Sequence, residues 1–458
     1  MLLRFGLMQV EFRTRPIYLA IIGAMLAGGG PVAAQTGTVE PAALLRSAID
    51  LACHAATGVE VRALRLQLPL VAGRPGGRPV SLSRLGWRGR FDVPGGRLTL
   101  ERMAPGGHFE RISAQYDARD DDGPAAADRR RPLLLAMTDG SCAIRTARRL
   151  HSDADGRPAW LEWLDGLLEP TGEREELNPP VPDGADPGGV AVALVDTGVN
   201  YLLPAIAARL ARDPDGALLG YDYWDLDRRP FDAHPVHSPF FPMRHGTQTA
   251  SLLLAEAPVT RLLAYRYPRP DMSRMAALIE DAAAAGARLV NLSLVGNQAA
   301  EWAGFEAAAR RHPEILFVVA AGNHGRDLDL RPAWPAALPL ANLIAVTAAR
   351  ADGTLATAAN WGRASVDLMV AAEGVAVTGF FGEPRTVSGS SYAAVRITAL
   401  AACLLAAHPD WRAAELKAAL FALARPPAED GRVAIGLIPA STLANQGACS
   451  TRPPTSGV

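Results

Sequence analysis

Four short segments, far apart in the chain, carry residue types that chemistry can use. Asp196-Thr197-Gly198 ends a run of apolar residues, and His245-Gly246-Thr247 opens an amphipathic stretch. Ala320-Ala321-Gly322-Asn323 ends a second apolar run that starts at Ile315. Gly389-Ser390-Ser391-Tyr392-Ala393 opens an Ala/Leu-rich stretch reaching about Ala407. A serine hydroxyl is a poor nucleophile at neutral pH and needs a base to take its proton during attack. A neutral imidazole titrates in the right range, and a carboxylate behind it fixes the tautomer and stabilises the imidazolium. The tetrahedral intermediate then needs preorganised donors around its oxyanion. Taken singly, each segment has an ordinary structural reading. Asp196 suits a turn, His245 and Ser390-Ser391 suit helix caps, and Asn323 beside Gly322 and Gly325 suits a left-handed turn. Taken together, they point to acyl transfer. A serine of the Ser390-Ser391 pair is the nucleophile, His245 the base, Asp196 its partner and Asn323 an oxyanion donor, with the Ser391 N–H at a helix N-terminus as a second donor.

Such groups must be held by rigid elements. Val190 to Val195 is a continuous apolar run of the kind found in a parallel strand covered on both faces. Similar runs lie at Arg288 to Leu294, Ile315 to Ala320 and Leu343 to Thr347, and Ala-rich helical stretches lie at Gly246 to Ala255, Met272 to Ala285 and Ala299 to Arg311. This alternation predicts an α/β parallel sheet with helices on both faces, its reactive groups gathered at the carboxyl ends of the strands. Residues 35–180 read differently. A helical pattern from Pro41 to Ala56 precedes alternating runs at Val59 to Leu66, Arg97 to Glu101 and Phe109 to Ala114, which predicts a small α+β domain with antiparallel strands. Asp117 to Asp122 and Arg129 to Arg131 read as a solvated charged loop, with a calcium loop or a processing site as alternatives. Glu169 to Pro187 reads as a linker. Tyr221 to Asp227, with His234 and His237, reads as a packed surface loop, with a metal site as the alternative.

Over residues 188–440 the sequence resembles the subtilisin-like serine proteases. The chain order Asp…His…Ser is that of this family. Asp196-Thr197-Gly198, His245-Gly246-Thr247, Ala321-Gly322-Asn323 and Gly389-Ser390-Ser391-Tyr392-Ala393 are similar to its aspartate, histidine, oxyanion and serine motifs. Pro409-Asp410-Trp411 and Leu416 are similar to its C-terminal helix pattern. The resemblance implies a subtilisin-like catalytic domain over 188–445 and peptide-bond hydrolysis through an acyl-enzyme, with Ser391 rather than Ser390 as the nucleophile. Asn291 to Leu294 resembles the strand that pairs with extended substrate, and Ser293, Leu294, Gly296 and Gly322 are expected at the substrate pocket. Four residues depart from the family pattern. Ser390 stands where Thr is usual, Tyr392 where Met is usual and Val395 where Pro is usual, with Arg396 following. Tyr392 is expected to add bulk near the leaving side. Members are often made with an inhibitory propeptide and often hold structural calcium. Residues 35–180 occupy the propeptide's place, so an intramolecular inhibitor and a retained accessory domain both stay open. No clear calcium ligand set exists, and no cofactor is required.

Composition narrows the remaining classes. The 458 residues carry 46 basic and 47 acidic side chains, a net charge of -1, which excludes steering to nucleic acid by bulk charge. Lys417 is the only lysine, so a serine–lysine dyad would have to use it. Arg4, Arg13 and Arg15 precede the short apolar run Ile17 to Ala27. Small residues then suit cleavage after Ala34, so residues 1–34 read as an export signal, with an uncleaved membrane anchor as the alternative. No other stretch reads as a membrane span. Export makes the four cysteines available for disulfides. Cys53 and Cys142 share the N-terminal domain and are expected to pair, while Cys403 in its Ala/Leu helix reads as a small buried hydrophobe. Residues 446–458 read as a tail. The expected function is a periplasmic or secreted serine endopeptidase acting on proteins or peptides. A catalytically silent binding protein on the same scaffold, and an esterase or amidase with the same triad, are the alternatives.

Overall fold

The computed structural model describes residues 40–54, 80–81, 85–119, 130–235, 238–269, 271–426, 431–444 and 449. The export segment, the run Val59 to Leu66, His237 and residues 450–458 lie outside the described residues.

The first unit is one helix against an eight-stranded antiparallel meander. Helix α1 (Pro41–His54) starts with Pro41 at its first position, and the Glu40 carboxylate accepts the Ala43 N–H at 2.7 Å. The strands are β1 (Val80–Ser81), β2 (Gly86–Val93), β3 (Gly96–Met103), β4 (Arg111–Arg119), β5 (Arg130–Thr138), β6 (Ile144–Ser152), β7 (Pro158–Leu164) and β8 (Pro170–Glu176), paired in sequence order. Alternation sends Leu98, Leu100, Ile112, Ala114 and Tyr116 to one face, where Leu45, Ala48 and Ile49 of α1 cover them. Cys53 and Cys142 form a disulfide that ties α1 to the turn between β5 and β6. Two expectations are corrected here. Asp117, Arg130 and Arg131 lie in β4 and β5 rather than in a loop. The linker contains strand β8, and beyond it the chain is pinned: the Tyr201 hydroxyl donates to the Pro179 carbonyl at 2.6 Å, and Asp186 accepts the Arg212 N–H at 2.8 Å.

The second unit is an eight-stranded sheet in which every neighbouring pair is parallel. It comprises β9 (Val190–Asp196), β10 (Tyr221–Asp222), β11 (Thr260–Arg266), β12 (Leu289–Leu292), β13 (Leu316–Ala320), β14 (Leu343–Ala349) and β15 (Leu368–Ala371). A last strand, β18 (Gly436–Ile438), completes the order β10-β11-β9-β12-β13-β14-β15-β18; β16 (Val375–Thr378) and β17 (Pro384–Val387) make a separate hairpin. The apolar run in β9 is explained by its two buried faces. Val192 and Leu194 pack under α2 (Gly246–Glu256) and α5 (Ser390–Ala407). Ala191, Ala193 and Val195 pack on the side of α3 (Met275–Ala284) and α4 (Ala303–Arg311). Strand β11 is not evident in the sequence because arginines flank its apolar centre. In the fold Arg266 is buried and its charge is met by Asp222 and Asp225, at 2.8 and 2.5 Å.

Two further expectations are corrected. Cys403 is not a lone buried thiol but pairs with Cys449. Helix α5 is, by length and composition, apolar enough to cross a membrane, yet 72% of it is buried inside this unit, where it serves as the core helix.

Candidate active site

The carboxyl end of β9 delivers Asp196, and the start of α2 delivers His245. Two glycines allow the approach. A Cβ at Gly246 would lie 1.9 Å from the Gly198 carbonyl oxygen, and one at Gly198 (φ +98°) 2.4 Å from the Phe231 carbonyl oxygen. The closeness brings His245 Nδ1 to 2.7 and 2.9 Å from the two Asp196 oxygens. Asp196 is 1% exposed, and its carboxylate also accepts the Thr197 N–H at 2.7 Å and the Thr249 hydroxyl at 3.0 Å. That leaves the imidazole's Nε2 edge to face elsewhere. Burial pushes His245 down, but the charge and hydrogen bond of Asp196, with the charge of Asp232, outweigh it and hold the imidazole above its ordinary 6.5.

Ser391 lies in the first turn of α5, 9% exposed. Helices α2 and α5 run together here. The Tyr392 hydroxyl donates to Gln248 Oε1 at 2.7 Å, and the Tyr392 and His245 rings are 5.7 Å apart. Among the described residues no hydrogen bond joins Ser391 Oγ to the imidazole. Tyr392 is 5% exposed and packs between the two helices. Arg396 reaches from α5 to Glu256 at the end of α2, at 2.8 Å.

Asn323 follows β13 and is exposed. Its Oδ1 accepts the Ser390 N–H at 2.8 Å, which turns the amide nitrogen away from that contact. A Cβ at Gly389 (φ +139°) would come within 3.0 Å of Asn323 Nδ2, so glycine is needed there. Ser390 is fully buried, and its hydroxyl accepts the Gly322 N–H at 2.9 Å, a task for any small hydroxyl side chain. Asn360 holds the same turn, donating to the Ala321 carbonyl at 2.8 Å and accepting the N–H groups of His324 and Arg326.

The expected substrate residues divide. Ser293 and Leu294 sit half-buried just past β12, and the Ser293 hydroxyl is 3.4 Å from the Ser391 carbonyl. Gly296 exchanges both backbone hydrogen bonds with Trp334, at 2.8 and 3.0 Å, and Gly322 uses its own on Ser390 and Asn360. These two glycines can form a wall, but their backbone groups are already engaged within the protein.

Several groups that support this site carried no sequence signal. Asp232 is wholly buried and accepts from the Thr197 hydroxyl at 2.6 Å, the Thr247 N–H at 2.8 Å and the Thr247 hydroxyl at 2.5 Å. It thereby joins the segments that carry Asp196 and His245. Burial pushes the Asp232 carboxyl up, against the pull of Arg244 and the threonine donors. Nothing in the sequence around Asp232 distinguishes it from a loop aspartate. The aromatic acidic segment before it packs about Arg266, so Asp222 and Asp225 serve that guanidinium. His234 is 2% exposed rather than at the surface, and burial, then the charge of Arg266, push it down to about 4.

The comparisons with known proteins bear on this geometry. Residues 188–437 match the subtilase family model, peptidase S8. The match spans more than half of the chain, and the chain belongs to the subtilase family. A thermophilic serine proteinase from Bacillus sp. (strain AK1) is 30% identical over 231 residues, covering 47% of this chain and 52% of that protein. The chain thus spans about half the length of this relative. Among solved structures, a cold-adapted subtilisin-like serine proteinase is 22% identical over 58% of this chain and 93% of its own, with a TM-score of 0.46. A lanthipeptide protease is 20% identical over 56% and 88%, with a TM-score of 0.48.

Proposed function

We propose that this chain is an exported serine endopeptidase. Ser391 Oγ attacks the carbonyl carbon of a peptide bond while His245 takes its proton; the imidazolium then protonates the departing amine. Water, activated by the same imidazole, hydrolyses the acyl-enzyme and restores the serine. Asp196 holds the ring, and Asn323 Nδ2 with the Ser391 N–H receive the oxyanion. Ser293 and Leu294 carry the extended substrate, with Gly296 and Gly322 as wall. The observation that carries the reading is the Asp196–His245 contact at 2.7 Å beside the helix start that holds Ser391. The bond from Ser391 to the imidazole forms, in this reading, when substrate orders the cleft, as substrate-free sites commonly hold such contacts long. Nucleophile, base and oxyanion donors make the chemistry complete without a cofactor. Two disulfides support the export reading.

The test is a fluorophosphonate probe followed by peptide mapping. Label on Ser391, lost together with casein hydrolysis in Ser391→Ala, is expected. A Ser391→Ala protein that still cleaves casein overturns the reading, and turnover of small esters without any protein cleavage favours an esterase.

A further inference from the structure

The described residues 231–235 and 238–244, which lead into His245, are gripped by the N-terminal sheet. Leu135, Leu150 and Leu161, on β5, β6 and β7, bury against Ala233 and Phe240. Leu134 and Ala136 point the other way, toward α1, so strand alternation leaves both faces of this sheet covered. Arg148 on β6 donates to the Phe240 carbonyl and stacks over the rings of Trp163 and Phe241. Glu175 on β8 is 7% exposed and forms an ion pair with Arg244, the residue before His245. The Arg244 guanidinium lies 3.9 Å above the Phe380 ring, and its charge bears on Asp232. Asn178, just past β8, donates to Asp227 at 3.1 Å. Among the described residues from 85 to 188, none hydrogen-bonds to Asn323, Ser391 or residues 293–296.

A domain in this posture braces the base rather than plugging the cleft. We propose that the N-terminal sheet is retained in the active protein as a positioning module, in which Glu175, acting through Arg244, fixes the backbone that presents His245. This rests on the reading of His245 as general base. Release of the sheet would expose Leu135, Leu150, Leu161 and Phe240 to water. It would also strip Arg244 of its hydrogen-bonded acid while leaving it packed over Phe380. Glu175 touches no reacting atom, so its contribution is to geometry: it holds the ring where a misplacement of about an ångström is costly to rate.

The test uses the full chain, exported and purified through a C-terminal tag without reductant. The N terminus is read on all of the recovered protein, and fluorophosphonate label is scored separately. The labelled chain is expected to begin upstream of Leu85. A chain that begins between Glu169 and Gly189, with the sheet lost, overturns retention. Glu175→Gln and Arg244→Gln are then compared per labelled site on a small ester. Each is expected to lower kcat about tenfold with KM unchanged, and the double variant to fall no further than either single one. Full per-site turnover in both single variants, or losses that multiply in the double, overturns the positioning role. A variant that merely folds poorly has fewer labelled sites but normal turnover at each, and so counts against it. A wild-type chain that takes no label defeats the hydrolytic reading, while its N terminus still decides retention.

Discussion

A hydroxyl, an imidazole and a carboxylate become a catalyst when the proton has one direction to travel. Asp196 occupies one ring nitrogen of His245 at 2.7 Å, which leaves the other to act as base in the proposed reaction. The base works only when neutral, and its surroundings hold it above 6.5. The value of kcat/KM should therefore fall on acidification through a midpoint above 6.5; a midpoint below that would contradict the electrostatics described here. Stability runs the opposite way. A raised imidazole contributes stability that is complete below 6.5 and is lost as pH climbs past its folded value. Asn323→Ala should lower kcat by roughly 10²–10³ with little change in KM, the size of loss established for such a donor in a subtilisin. Steady-state kinetics on a peptide ester would check it, and an unchanged kcat would remove Asn323 from the oxyanion site.

At the scale of elements, the site is a junction of loop ends that Asp232 knots together. It accepts from Thr197 after β9 and from Thr247 in α2, all three groups being buried. Asp232→Ala would leave two hydroxyls and an N–H without an acceptor. A stability loss of roughly 3 kcal/mol is expected, read from urea denaturation. The ester rate per labelled site should fall with it, because the Asp196–His245 approach depends on the same knot. The strands and helices that carry the motifs were legible, since each apolar run is buried on both sides and the Ala/Leu-rich α5 is the core helix. Strands β11, β15 and β18 were not. Their signals are short or flanked by charge, and Arg266 is accepted inside only because Asp222 and Asp225 fold back to meet it.

At the scale of the molecule, the N-terminal sheet and the parallel sheet share a seam at the described residues 231–235 and 238–244. His234 lies in it, with both ring nitrogens unpartnered among the described residues. Its folded value of about 4 lies below the ordinary 6.5, so it contributes stability above 6.5 that is lost as pH falls toward 4. The loss should amount to about 3 kcal/mol, seen as a falling Tm between those values, and His234→Leu should flatten the slope. An identical slope in the variant would place the acid sensitivity elsewhere.

The sequence by itself determined the family and the class of fold, and it pointed to the proposed chemistry. Four motifs in a fixed order, each at the end of an apolar run or the start of a helix, carry the groups of the proposed triad and oxyanion site, and their placement follows from local rules of strand, turn and cap. Only the tertiary structure decided how the N-terminal segment sits on the rest, that Asp232 meets Thr197 and Thr247, that Glu175 meets Arg244, that Tyr392 packs inward and that Cys403 meets Cys449. Each of these depends on two stretches distant in the chain coming into contact. The worth of a buried charge or thiol is set by the partner it meets, and composition and spacing along the chain do not encode that partner.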